Sequence, residues 1–247
     1  HQHFWNYDPL RHIWIDDSME VIRKDFLPND LKPLLQENGV NCCIAVQADQ
    51  TEMETEFLLE CAEHNPFIKG VVGWVDLIDK NLEDRLKHFT TNPLFKGVRH
   101  IVQSEKDDYL LRKDVQHGIG LLSKYNLTFD ILVFPKQLTA AVQMVKEFPN
   151  QTFILDHIAK PNISQPMTEL WKTNITALSK FENVHCKLSG MVTETKDFCF
   201  TKEDFTPFID HVFSCFGANR ILFGSDWPVC LLAADYTKVI TLISEYL

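Results

Sequence analysis

No stretch of this 247-residue chain strings together the roughly 20 apolar residues of a membrane span, and its N-terminal apolar positions are interleaved with His, Asp and Arg instead of forming a signal-peptide core. Positive charge is scarce: 24 Lys and Arg stand against 34 Asp and Glu, giving a formal net charge of -10 with no long run of one sign. That balance opposes nucleic acid and anionic membrane surfaces as partners, and it accounts for solubility, not function. The 7 cysteines include no CxxC pair, and an odd number suits reduced thiols better than a disulfide framework or a structural zinc site, so a cytoplasmic location is expected. Neither GxGxxG nor GxxxxGK[ST] occurs, which leaves a doubly wound nucleotide-binding sheet without its fingerprint. No Gly/Ser/Pro-rich linker and no internal repeat divides the chain, so residues 1–247 read as one domain, with a few further residues expected beyond each end.

What the chain does contain is an alternation. Short β-rich runs, NCCIAVQA (41–48), FIKGVVGWVDL (67–77), FKGVRHIVQ (95–103), LTFDILVF (127–134), TFILDHIAKP (152–161), VHCKLSGM (184–191) and ILFGSDWP (221–228), predict buried strands. Between them lie helix-period segments such as TEMETEFLLECAEHN (51–65), LLRKDVQHGIGLLSKYN (110–126), KQLTAAVQMVKEF (136–148) and DFTPFIDHVFSCFG (204–217). Stops such as Asn65 with Pro66, Phe148 with Pro149, and Gly217 close these segments. With HQHFW (1–5) as an opening strand the count reaches eight β/α units, the number and length of an α/β, (β/α)8 TIM barrel, here expected to be distorted.

In such a barrel the chemistry sits at the C-terminal ends of the strands. His1 and His3 share one face of the opening strand, because side chains two apart point the same way. Arg99, His100 and Gln103 end the fourth expected strand, Asp156, His157 and Lys160 the sixth, and Ser225, Asp226 and Trp227 the eighth. Strand parity allows only one of Arg99 and His100 to point inward and turns Asp156 away from His157, while Asp130 sits early in its strand.

Together HQHFW, GVRHIVQ, FDILVF, LDHIAKP, CKLSGMVTE and FGSDWPVCLLAADY resemble the amidohydrolase superfamily, within it the branch of L-fuconolactonases, L-rhamnonolactonases and related sugar-lactone or dicarboxylate lactonases. The resemblance runs over essentially the whole chain. It implies that His1 and His3 are metal ligands, that His157 joins them, and that Asp226 takes a proton from the attacking water. The chain departs from the superfamily pattern in two places: Asp130 stands where a fifth-strand histidine is usual, and the fourth strand offers no lysine placed for carbamylation, since Lys96 comes early. A two-metal centre is therefore not expected. The resemblance implies one divalent metal, zinc first, with a metal-free route also open.

Lactone opening asks for an activated water, a donor to the carbonyl oxygen and an acid for the leaving alkoxide. Asp226 and His157 are the catalytic candidates. Arg99, His100, Gln103, Lys160, Trp5, Trp74 and Trp227 are the candidates for holding a polyhydroxylated small molecule, which needs several hydrogen bonds and an apolar face. Each has a plainer reading. The leading histidines resemble tag residues, although a tag gives a longer run and does not lead into Phe4 and Trp5; the lesser alternatives are a packed core histidine for His157, a helix cap for Asp226 and an ion-pair partner for Arg99. Hydrolysis or decarboxylation of another cyclic ester or dicarboxylate is the alternative enzyme, and a non-catalytic binding protein on the same barrel is the alternative class.

Overall fold

A computed structural model describes residues 1–246. All seven runs expected as buried strands form strands: β1 (Cys43–Val46), β2 (Ile68–Gly73), β3 (Phe95–His100), β4 (Thr128–Ile131), β5 (Phe153–Leu155), β6 (Val184–Leu188) and β7 (Ile221–Phe223). They pair in parallel in sequence order, β1 to β7. Among the described residues eight α-helices accompany them: α1 (Pro28–Glu37), α2 (Glu52–His64), α3 (Leu82–Phe89), α4 (Lys113–Leu122), α5 (Leu138–Glu147), α6 (Glu169–Ser179), α7 (Lys202–Phe216) and α8 (Tyr236–Ser244). Their starts follow local chemistry: Pro28 opens α1, and the Thr51 hydroxyl accepts from the Glu54 N–H at 3.2 Å to cap α2. At the close of α7, Gly217 takes φ +65°, a conformation that favours glycine.

The opening segment is shorter as a strand than HQHFW suggests. Gln2 alone bridges both sheet edges, pairing with Ala45 on one side and Trp227 on the other, and so closes the barrel. Three backbone bonds secure the closure: Val46 N–H to Gln2 O (2.9 Å), His3 N–H to Trp227 O (2.7 Å) and Asp226 N–H to His1 O (2.9 Å). After Phe4 the chain leaves the sheet, because Trp5 exchanges both its backbone bonds with Phe26 instead. The last strand is also less buried than its ILF sequence implies, with Leu222 and Phe223 each 39% exposed.

Candidate active site

Four side chains from three places on the strand ends meet inside the barrel mouth. His1 and His3 come from the closing segment, His157 from the turn after β5, and Asp226 from the turn after β7. The Nε2 atoms of His1 and His3 are 3.3 Å apart. Asp226 Oδ1 lies 3.1 Å from His3 Nε2, 3.5 Å from His1 Nε2 and 3.6 Å from His157 Nε2. All four residues are buried. The backbone works to bring them there: Asp226 and His157 both adopt left-handed φ, 58° and 54°, and the same conformation continues through Ile158, Ala159 and Lys160. Gly190 makes room for the His157 ring, since a Cβ there would stand 2.5 Å from Nδ1. The imidazole is then held by a 2.8 Å hydrogen bond between Nδ1 and Ser189 Oγ.

Beneath this cluster is a charged network that strand parity did not foresee. Asp156 and His157 both point inward, because alternation holds only in extended backbone and β5 ends at Leu155. Asp156 Oδ2 accepts from Arg99 Nη1 at 3.0 Å. Lys187 Nζ pairs with Asp130 and with Asp156 Oδ1, the second at 2.7 Å, and lies 3.1 Å from His1 Nδ1. Asp130, expected early in its strand, is the third of the four residues of β4 and also reaches the interior. Arg99 Nε and Nη2 both donate to Gln47 Oε1, at 3.0 and 2.9 Å. Neither Lys187 nor Gln47 stood out in the sequence, although a lysine inside the buried run VHCKL is the available signal: such a charge is unusual without an internal partner.

Burial and charge divide these groups. Burial pushes His157 down to about 4 and lowers His3 as well, so both rings are neutral near pH 7. Burial acts to raise the Asp226 carboxyl, but the adjacent His157 and His3 outweigh it and hold the group below the usual carboxylate range. Asp156 likewise stays below that range, where burial is outweighed first by Lys187.

Above the cluster opens a cavity of about 600 Å³. Arg99, Gln103 and Lys160 line it together with His3, His157 and Asp226. Four other expected contacts lie elsewhere. His100 points outward, stacked on Tyr109 and bonded to Glu105 at 3.1 Å; Trp74 donates to its Nδ1 at 3.2 Å. Trp5 packs edge-on against Trp14 and Phe26 and donates to Lys24 O at 2.9 Å, and Trp227 packs against Phe4 and Phe26. The turn after Phe4 takes Trp5 off the histidine face, so these rings build the wall's core and not its lining. Residues from loops fill the lining instead: Arg11, Trp14, Asp49 and Glu194. Every cation among the described lining residues has a carboxylate partner, Arg11 with Asp49 (2.8 Å), Lys160 with Glu194 (3.1 Å) and Arg99 with Asp156 (3.0 Å).

The His1, His3 and Asp226 donors are spaced for a metal. A tetrahedral zinc with bonds near 2.0–2.1 Å has ligand–ligand edges of about 3.3 Å, and the three edges here are 3.3, 3.1 and 3.5 Å. His3 Nδ1 lies 2.7 Å from the Val46 carbonyl, which only accepts, so the Nδ1–H donates and Nε2 is left with its lone pair facing the cluster.

Comparison with known proteins finds relatives along the whole chain. The amidohydrolase family model matches residues 1–245. An L-fucono-1,5-lactonase of Burkholderia ambifaria is 35% identical over 240 residues, covering 96% of this chain and 81% of that protein. Its counterpart in Burkholderia multivorans is 34% identical over 258 residues, covering 100% and 86%. A Burkholderia multivorans amidohydrolase crystallised with bound zinc superposes with a TM-score of 0.95 at 35% identity, covering 100% of this chain and 89% of that one.

Proposed function

The chain belongs to the amidohydrolase family, and on that premise we propose that it hydrolyses an uncharged sugar-acid lactone, of which L-fucono-1,5-lactone, the substrate named for its relatives, is the first candidate. One observation carries the choice of an uncharged ring over a dicarboxylate: the cavity's cations Arg11, Lys160 and Arg99 are each already neutralised by Asp49, Glu194 and Asp156. A substrate carboxylate would find no free positive partner and would meet Asp226 and Glu194 as like charges. Hydroxyl groups, which donate and accept, suit such a lining.

In the reaction Asp226 accepts a proton from water as the oxygen bonds to the lactone carbonyl carbon. When the tetrahedral intermediate collapses, the ring C–O bond breaks and the alkoxide takes that proton back from Asp226, leaving a hydroxy acid. His157, neutral and oriented by Ser189, hydrogen-bonds the reacting oxygens without contributing a full charge. A carboxylate held as low as Asp226 is a weak base on its own. A divalent metal held by His1, His3 and Asp226 would supply the missing acidification of water and polarisation of the carbonyl. Gln103 and Lys160 position the ring hydroxyls.

A pH-indicator assay over aldonolactones and a dicarboxylated lactone, run with zinc and with chelator, tests this reading. We expect kcat/KM for L-fucono-1,5-lactone to exceed that for the dicarboxylated ring by at least about 10²-fold, the scale of a buried like-charge penalty of a few kcal/mol. Preference for the charged substrate overturns it.

A further inference from the structure

We propose that Trp171, on a helix outside the cavity lining, is a positioning residue whose indole N–H holds the left-handed turn that delivers His157 and Lys160 to the barrel mouth. The turn runs against the preference of its residues. His157, Ile158, Ala159 and Lys160 take φ of 54°, 47°, 60° and 50° in succession, and none is glycine. L-residues visit this region singly, and a β-branched one such as Ile158 least of all, because Cβ crowds the following carbonyl oxygen. Lys160 is also followed by Pro161, which favours an extended residue before it. A run of this kind persists only where its surroundings fix it, and such runs gather where chemistry needs them. Here it places two groups at once: His157 Nε2 lies 3.6 Å from Asp226 Oδ1, and Lys160 lines the cavity with its Nζ 3.1 Å from Glu194.

Within the turn, the Lys160 N–H donates to His157 O at 2.8 Å. The buried Ile158 carbonyl accepts from Trp171 Nε1 at 2.7 Å. A buried carbonyl without a donor is costly, so this bond favours the left-handed turn over backbone arrangements that carry Ile158 O elsewhere. The indole has little freedom of its own. Trp171 is fully buried in the first turn of α6, where its backbone N–H donates to the Thr168 hydroxyl at 3.3 Å, and its ring packs edge-on against Phe208 of α7 at 5.3 Å between centroids. Ser189 and the recess at Gly190 orient the His157 ring once its backbone is in place. Trp171 acts one step earlier, on the backbone itself.

Trp171→Phe keeps most of the aromatic packing and removes the N–H. In the folded variant we expect the Lys160 amide to exchange with deuterium at least about tenfold faster, while the Glu105 amide, bonded to Val102 O at 2.9 Å in the comparable short turn after β3, keeps its rate. With L-fucono-1,5-lactone, kcat should fall at least about tenfold, since small misplacements of a reacting group are felt strongly. In a His157→Gln background the same substitution should cost less than about twofold, because it acts through His157. Equal acceleration of both amides, or of neither, overturns the proposal, and so does an equal loss of kcat in the two backgrounds. If Trp171→Phe does not fold, the parent protein decides: a Lys160 amide exchanging within about tenfold of an unprotected one shows a turn that is not held and overturns the proposal, and stronger protection upholds it. Only the kcat arm rests on the lactonase reading; exchange uses no lactone, so the failure of one is told apart from the failure of the other.

Discussion

Two buried polar assemblies sit in contact inside one barrel and are built on opposite terms. In the charged network, donors meet acceptors: Arg99 gives to Gln47 and Asp156, and Lys187 pairs with Asp130 and Asp156. In the histidine cluster, acceptors meet acceptors, with His3 Nε2 and Asp226 Oδ1 at 3.1 Å. A network that balances itself holds a structure together, whereas a cluster short of hydrogens is ready to take up a proton or a cation. The contrast separates residues that keep the barrel mouth in shape from those that do its chemistry.

Breaking the balanced side should cost the most stability. Arg99→Met takes from Asp156 one of its two cations, leaving Lys187, and strips Gln47 Oε1 of both Arg99 donors, and we expect a loss of about 3 kcal/mol in urea unfolding, at the lower end of what severed buried pairs cost. Arg99 lines the cavity as expected, and its Nε, Nη1 and Nη2 are all engaged within the protein, so its loss is read first in stability. A loss below about 1 kcal/mol would erase the distinction between the two assemblies.

The cluster should declare itself through pH. His157 is held down to about 4 in the folded protein against an ordinary value of 6.5. Above pH 6.5 the ring is neutral in both states and contributes nothing. As pH falls from 6.5 to 4 the unfolded chain binds the proton first, so stability drops, by about 3 kcal/mol at the end of that window. With chelator present, the fall in Tm from pH 7 to pH 4 should be visibly shallower in His157→Gln than in the parent; parallel curves would remove the burial effect.

Next comes the catalytic effect of altering the cluster without unbalancing the network. Asp226→Asn preserves shape but removes the proton acceptor, and kcat should drop by at least about 10²-fold, near 2.7 kcal/mol, with little change in Tm. Near-parental turnover in a folded variant would take the base role from Asp226. A collapse of the fold would instead favour the helix-cap reading; the carboxylate's contacts with His3 and His1 give no support to it.

The smallest effect is expected at the rim. Arg11 and Asp49 pair at 2.8 Å with the arginine side chain about one-third exposed, 33%. Arg11→Met should change stability by less than about 1 kcal/mol. If it also raises turnover of a dicarboxylated lactone, charge balance is not what selects the substrate.

Alternation of strand and helix patterns, the strand-end positions of His1, His3, His157 and Asp226, and the absence of a nucleotide fingerprint were all legible along the chain, because each depends on local periodicity or on residue type. The inward turn of Asp156 and the outward turn of Trp5 were not, since both follow from where a strand ends. Nor was the pairing of Lys187 with Asp130, two residues 57 apart in sequence whose charges become compatible with burial only when β4 and β6 face the same interior. Sequence alone determined that this chain makes a barrel with histidines and an aspartate at its mouth, because hydrophobic period and residue identity are written locally. Only the tertiary structure decided which charges balance one another and which acceptors are left facing each other, because hydrogen-bond inventories close in three dimensions, across strands that the sequence keeps far apart.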